Sequence, residues 1–140
     1  MPPSAAGGTP AVVIDTNRVL DLWLFDDPQV DALRDAIARG GARWLAQPAM
    51  REELTRVLGY PAVLAQLARR QRTADGVLAA LDRWSHPAPA ADPAPVRCRD
   101  PDDQIFIDLA VAWRARLFSK DLAVLALARR LAPLGVTVER

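Results

Sequence analysis

The sequence predicts an α/β domain: a mainly parallel central sheet with helices on both faces. Three observations predict it. Short apolar runs alternate with stretches of helical periodicity from end to end. The first run, Ala11-Val12-Val13-Ile14, is apolar without a break, as a strand buried on both faces must be. Two of the runs stop at aspartates, and a helical pattern follows each time.

Residues 1–10 hold three Pro and two Gly and read as a flexible arm ahead of a single domain, 11–140. The strand Ala11–Ile14 ends at Asp15-Thr16-Asn17, three good turn or cap residues. Val19, Leu20, Trp23 and Leu24 then continue at helical spacing. Asp27-Pro28 is an N-cap with Pro at the first helical position, and the helix it opens carries Val30, Leu33 and Ile37 before Gly40-Gly41. A second strand is expected over Arg43–Ala46. Pro48 opens a helix that runs to Leu58 and stops at Gly59. Two further helices are expected at 61–70 and 74–84, the second capped by Thr73. His86–Pro95, with four Pro in ten residues, reads as a surface connection without regular hydrogen bonding. Asp100-Pro101 repeats the cap-plus-Pro signature ahead of a helix bearing Phe106, Ile107, Ala110 and Val111. Leu117-Phe118-Ser119 reads as a short strand closed by Lys120-Asp121. A last helix carries Val124, Leu125, Ala128 and Leu131, and Val136–Val138 is the final strand.

The composition bounds the function. With 51% hydrophobic and 25% charged residues among 140, the chain is globular and of a size to bury a real core. A net charge of +1 excludes a strongly basic nucleic-acid wrapper but leaves room for a local basic patch. The basic set is 17 Arg and one Lys, and the acidic set 14 Asp and three Glu. Aspartate is a poor helix former but a good N-cap and a good ligand for hard cations, so its positions need explaining. A single cysteine, Cys98, rules out an internal disulfide and a multi-cysteine zinc site. With no secretory signal and no apolar run of membrane-spanning length, the sequence predicts a soluble, cytoplasmic protein.

Four acids stand where chemistry is possible. In an open parallel sheet, ligands bind beyond the carboxyl ends of the strands. Asp15 and Asp121 both follow strands and would share that edge; each also suits a plain helix-capping role. In Arg99-Asp100-Pro101-Asp102-Asp103, Asp100 is the natural cap. The helix dipole favours the other two, yet a cation relieves crowded carboxylates better than one helix terminus does. Asp103, three and seven residues before Phe106 and Ala110, is the inward-pointing member. Glu53 borders the apolar stripe of its helix and needs a partner there, a metal or Arg56. Elsewhere, Arg69-Arg70-Gln71-Arg72 suits RNA phosphates or a solvated helix end equally. His86 reads as a loop residue, Cys98 as a small buried hydrophobe, and Trp23, Trp44, Trp84 and Trp113 as core or partner-facing.

The segments Val13-Ile14-Asp15-Thr16-Asn17, Glu53-Leu54-Thr55-Arg56-Val57-Leu58, Cys98-Arg99-Asp100-Pro101-Asp102-Asp103 and Phe118-Ser119-Lys120-Asp121 resemble the PIN-domain family of metal-dependent ribonucleases. Within it they are similar to the VapC-like toxins of type II toxin–antitoxin pairs. The resemblance runs from about residue 11 to the end. It implies a PIN-like fold, an acidic pocket holding Mg²⁺ or Mn²⁺, and hydrolysis of single-stranded RNA. By position, the catalytic and metal-binding residues would be Asp15, Glu53, Asp103 and Asp121, supported by Asn17 and Ser119. The implied partners are an RNA substrate, an antitoxin protein and a second copy of the chain, with no membrane. One departure is Ala123, where many relatives carry an acid; it implies a weaker metal site or reduced activity.

Other classes fit less well. A haloacid-dehalogenase-like phosphatase needs an acid two residues after its nucleophilic Asp, where this chain has Asn17. A response-regulator receiver needs an aspartate after a middle strand, and none follows Arg43–Ala46 directly. The alternative is a PIN-fold protein of weak or absent activity that works by binding RNA or a protein partner.

Overall fold

Strand β1 (Ala11–Ile14) is the centre of a five-stranded sheet in a computed structural model that describes residues 8–140. The expected arm falls mostly outside the described residues, at 1–7. Around β1 stand β2 (Arg43–Ala46), β3 (Ser85–Pro87), β4 (Arg116–Phe118) and β5 (Thr137–Glu139), in the order β3-β2-β1-β4-β5. Every neighbouring pair is parallel, so the expected parallel sheet is complete in that sense. The order reverses between β1 and β4. That reversal opens a crevice at their carboxyl ends, because connections leave β1 and β4 towards opposite edges.

Pleating divides the core in two. Val13, Leu45 and Leu117 point to one face, and Val12, Ile14, Trp44 and Phe118 to the other. The second face is covered by α1 (Thr16–Trp23), α2 (Asp31–Ala38), α3 (Pro48–Leu58), α4 (Pro61–Arg69) and α5 (Ala74–Trp84). The first is covered by α6 (Gln104–Trp113), α7 (Leu122–Leu125) and α8 (Ala128–Leu131). Trp23 stacks on Trp44 and Trp84 with ring centroids 6.4 and 6.5 Å apart, so three of the four tryptophans serve the core. No helix among the described residues is long and apolar enough to cross a membrane.

The structure corrects four expectations. Ser85–Pro87 is an edge strand, where the proline content predicts an irregular connection from His86 onward. An edge strand tolerates Pro: Ala88 N–H, one residue on, supplies the bond to Ala46 O at 3.0 Å. The rest of the Pro-rich connection is tied down by side chains. Gln47 Nε2 donates to Pro89 O at 2.9 Å, and Asp108 Oδ1 accepts from Ala94 N–H at 2.9 Å. The last helix is two short ones, because Leu127 N–H bonds to Val124 O three residues back and tightens the chain between them. Ser119 lies just past β4 and not within it. Finally, the Arg69–Arg72 run is structural at two positions. Arg70 donates to Phe25 O and lies over its ring, and Arg72 donates to Trp23 O and pairs with Asp26.

Candidate active site

The crevice between β1 and β4 contains a cavity of about 290 Å³. Asp15, Asn17, Glu53, Asp103 and Asp121 all line it, together with Thr16, Phe106 and Tyr60. Five of the six residues picked from the sequence thus reach one cavity from four different elements, and the sixth, Ser119, lies buried behind it.

Each acid is held by its local turn. Asp15 caps α1: its Oδ1 accepts from Asn17 N–H at 2.9 Å. Its Oδ2 accepts from Ser119 Oγ at 2.5 Å. The same Ser119 oxygen accepts from Asp121 N–H at 3.1 Å, so one fully buried hydroxyl joins the ends of β1 and β4. Asp121 caps α7 through Ala123 N–H at 2.8 Å. Glu53 comes from α3 and accepts a hydrogen bond from Thr16 Oγ1, with Arg56 at 3.9 Å. Asn17 donates its backbone N–H to Asp15 and also lines the cavity.

The closest grouping differs from the expected four. Asp100, Asp103 and Asp121 each offer a carboxylate oxygen within 4.8 Å of the others. Asp15 and Glu53 share the cavity but stand outside that trio. Asp100 does cap the turn at Pro101–Asp103, as expected, through Asp102 N–H at 3.0 Å. A cap engages one carboxylate oxygen, and the other remains for a ligand.

Electrostatics mark the same place. Burial raises the Asp15 carboxyl against the hydrogen bonds from Ser119 and Asn17, and the charge of Asp121 raises it further. Glu53 is raised chiefly by burial, then opposed by the Thr16 hydrogen bond and raised again by the charge of Asp15. Asp103 is pushed up to about 8 by burial, by the neighbouring Asp121 carboxylate, and by the charges of Asp15 and Asp100. Its Oδ2 is buried without a hydrogen-bond partner among the described residues. An unpartnered buried carboxylate oxygen among other carboxylates fits a cation better than any proton arrangement, and all-oxygen donors suit a hard divalent ion.

A pH dependence follows for the metal-free protein. The folded state keeps a proton on Asp103 that the unfolded chain releases near pH 4, so stability falls as pH rises from about 4 towards 8. In the presence of chelator, the melting temperature should be higher at pH 5 than at pH 8. Asp103→Asn should flatten that difference, and an unchanged slope in the variant would refute the assignment.

Two groups near the site are not legible as functional from sequence. Behind the crevice, Arg18 and Asp21 of α1 form a buried ion pair at 2.9 Å, and Lys120, the chain's one lysine, reaches Asp21 at 2.7 Å. The solitary lysine is the available signal. On the neighbouring surface, half-buried Cys98 has its thiol raised mainly by burial. Ala123 lines a separate cleft with Arg97, Arg99 and Arg130 and not the acidic cavity.

A search of curated proteins returns no match to the chain. Residues 11–118, however, match the PIN domain family. PIN domains are generally nucleases and typically use a divalent metal, which agrees with a parallel sheet whose carboxyl edge gathers acids around one cavity. Ser119 and Asp121 lie just beyond the matched range and complete that cavity from the end of β4. With most of its length matched and its fold and acidic crevice in agreement, this chain belongs to the PIN domain family.

Proposed function

We propose that the protein is a divalent-metal-dependent endoribonuclease that hydrolyses phosphodiester bonds of single-stranded RNA. The observation that carries the reading is the buried, unpartnered Asp103 Oδ2 inside a trio of carboxylates. Asp100, Asp103 and Asp121 would hold Mg²⁺ or Mn²⁺, with Asp15 and Glu53 completing the acidic wall. Bound there, a hard divalent cation supplies neutralisation of the scissile phosphate and activation of the attacking water. The chain's own residues do the positioning. Ser119 fixes Asp15 relative to Asp121, and Thr16 holds Glu53 at the cavity mouth. Asp15, held by two donors, is pre-organised and needs no rearrangement when substrate arrives.

The same resemblance supports a finer reading: a toxin of a toxin–antitoxin pair acting in the cytoplasm, restrained by a cognate antitoxin protein and able to pair with a second copy of the chain.

Labelled single-stranded RNA incubated with and without Mn²⁺ tests the activity, with Asp15→Asn as the control. Cleavage should need the ion and be lost in the variant. The ion should also stabilise the fold by mass action. At about 100 times its dissociation constant it adds about 2.7 kcal/mol, or roughly 8–12 °C in melting temperature. RNA that stays intact while the protein retains it would favour the binding-only alternative. An unmoved melting temperature at saturating ion would remove the metal from the account.

A further inference from the structure

The cleft beside the acidic crevice has a volume of about 280 Å³, and three of its lining residues are Arg97, Arg99 and Arg130. It lies along the same chain as the acids: Arg99 directly precedes Asp100 of the carboxylate trio, and Ala123 stands two residues after Asp121, which lines the acidic cavity. The chain's net charge is only +1, so three guanidinium groups around one hollow are not the by-product of a basic surface. Among the described residues, Arg99 and Arg130 make no side-chain hydrogen bond or ion pair. Arg97 has one loose contact, 3.8 Å from Asp108. Ala123 and Leu127 add no counter-charge.

The arginine wall is also held in place. Gln104, itself buried, accepts from Cys98 N–H at 2.6 Å and donates to Val96 O at 3.0 Å. Those two bonds clamp the backbone from which Arg97 and Arg99 project. Arg97 and Arg99 on a fixed segment, with Arg130 of α8 lining the same cleft and only the 3.8 Å contact of Arg97 to Asp108 among the three, match the fork geometry and charge of a phosphate.

We propose that this cleft is a phosphate subsite for single-stranded nucleic acid, holding a backbone phosphate next to the one that enters the acidic cavity. Its place in catalysis rests on the nuclease reading above; its affinity for phosphate does not. A backbone ligand is favoured over an isolated anion because the cleft adjoins a cavity built for the next phosphate, and one strand satisfies both. Interactions of this kind set register and affinity without reading bases.

Fluorescence anisotropy of a labelled single-stranded oligonucleotide, with chelator present so that nothing is cut, provides the test. Arg99→Gln with Arg130→Gln should weaken binding at least about tenfold with an unchanged melting temperature, since both side chains are exposed and unpaired. The slope of log affinity against log salt should flatten by about 0.7 for each phosphate that the variant no longer neutralises. Ala123→Asp, which places a carboxylate among the arginines, should weaken binding in the same direction. A methylphosphonate oligonucleotide, lacking backbone charge, should bind the parent protein no better than the charged one binds the double variant.

Unchanged affinity and salt slope in the double variant would overturn the subsite, as would a glutamate-rich peptide that binds the parent more tightly than the oligonucleotide. Cleavage with Mn²⁺ is scored separately. RNA bound through the arginines yet never cut refutes the nuclease reading and leaves the subsite standing. RNA cut equally fast by parent and double variant at subsaturating concentration does the reverse.

Discussion

Asp121→Asn should leave the fold intact and lower Mn²⁺-dependent RNA cleavage by at least about tenfold. The two halves of that expectation come from two roles of one side chain. Oδ1 caps α7 by accepting from Ala123 N–H, and asparagine is about as good a cap as aspartate. Stability should therefore hold. The carboxylate also stands within 4.8 Å of those of Asp100 and Asp103, and there the lost formal charge weakens the hold on a cation. A tenfold loss corresponds to about 1.4 kcal/mol of transition-state stabilisation. Parallel melting curves and cleavage rates at limiting Mn²⁺ check both halves. Equal rates would reduce Asp121 to a cap.

Asp21→Ala should destabilise the fold by about 3–5 kcal/mol, the range for removing one partner of a buried ion pair. Arg18 is 1% exposed, and among the described residues it keeps only Asp27, at 3.7 Å, and the weak interaction with Gln29 once Asp21 is gone. Its Nε already lacks a partner. Removing both charges at once is a different matter. Arg18→Met with Asp21→Leu replaces the pair by apolar volume, and such exchanges are often neutral or stabilising. Lys120, more than a third exposed, can turn to water. Denaturant midpoints of the single and double variants make the comparison. A single variant as stable as the parent would show that the pair carries no such burden.

Much of this is legible in the sequence because the signals are local. The uninterrupted Ala11–Ile14 run suits only a doubly buried strand, and the cap-plus-Pro pairs at Asp27 and Asp100 fall where their helical turns begin. Position along strands and helices is enough to bring Asp15, Glu53, Asp103 and Asp121 to one cavity. What escapes is set by tertiary structure. Pro87 forms part of a strand because the edge asks nothing of its missing N–H, which no local rule weighs. Asp100 reads as a cap and joins the trio as well, since one oxygen suffices for the cap. The place of Ala123 depends on where residues 97–99 return, and that depends on Gln104 reaching back to Val96 and Cys98.

The sheet order carries a consequence for synthesis. The helices on one face are complete by Trp84, but β4, which must insert beside β1, begins only at Arg116. The hydroxyl that joins Asp15 to the end of β4 comes from Ser119, 104 residues along the chain. A growing chain therefore carries Asp15 and Glu53 long before β4 can bring them together with Asp121. Long-range parallel pairing of this kind forms late, after the entropy of closing the intervening loop has been overcome. The acidic crevice therefore cannot close until β4 pairs beside β1 and Ser119 reaches Asp15, however early the other strands and helices form.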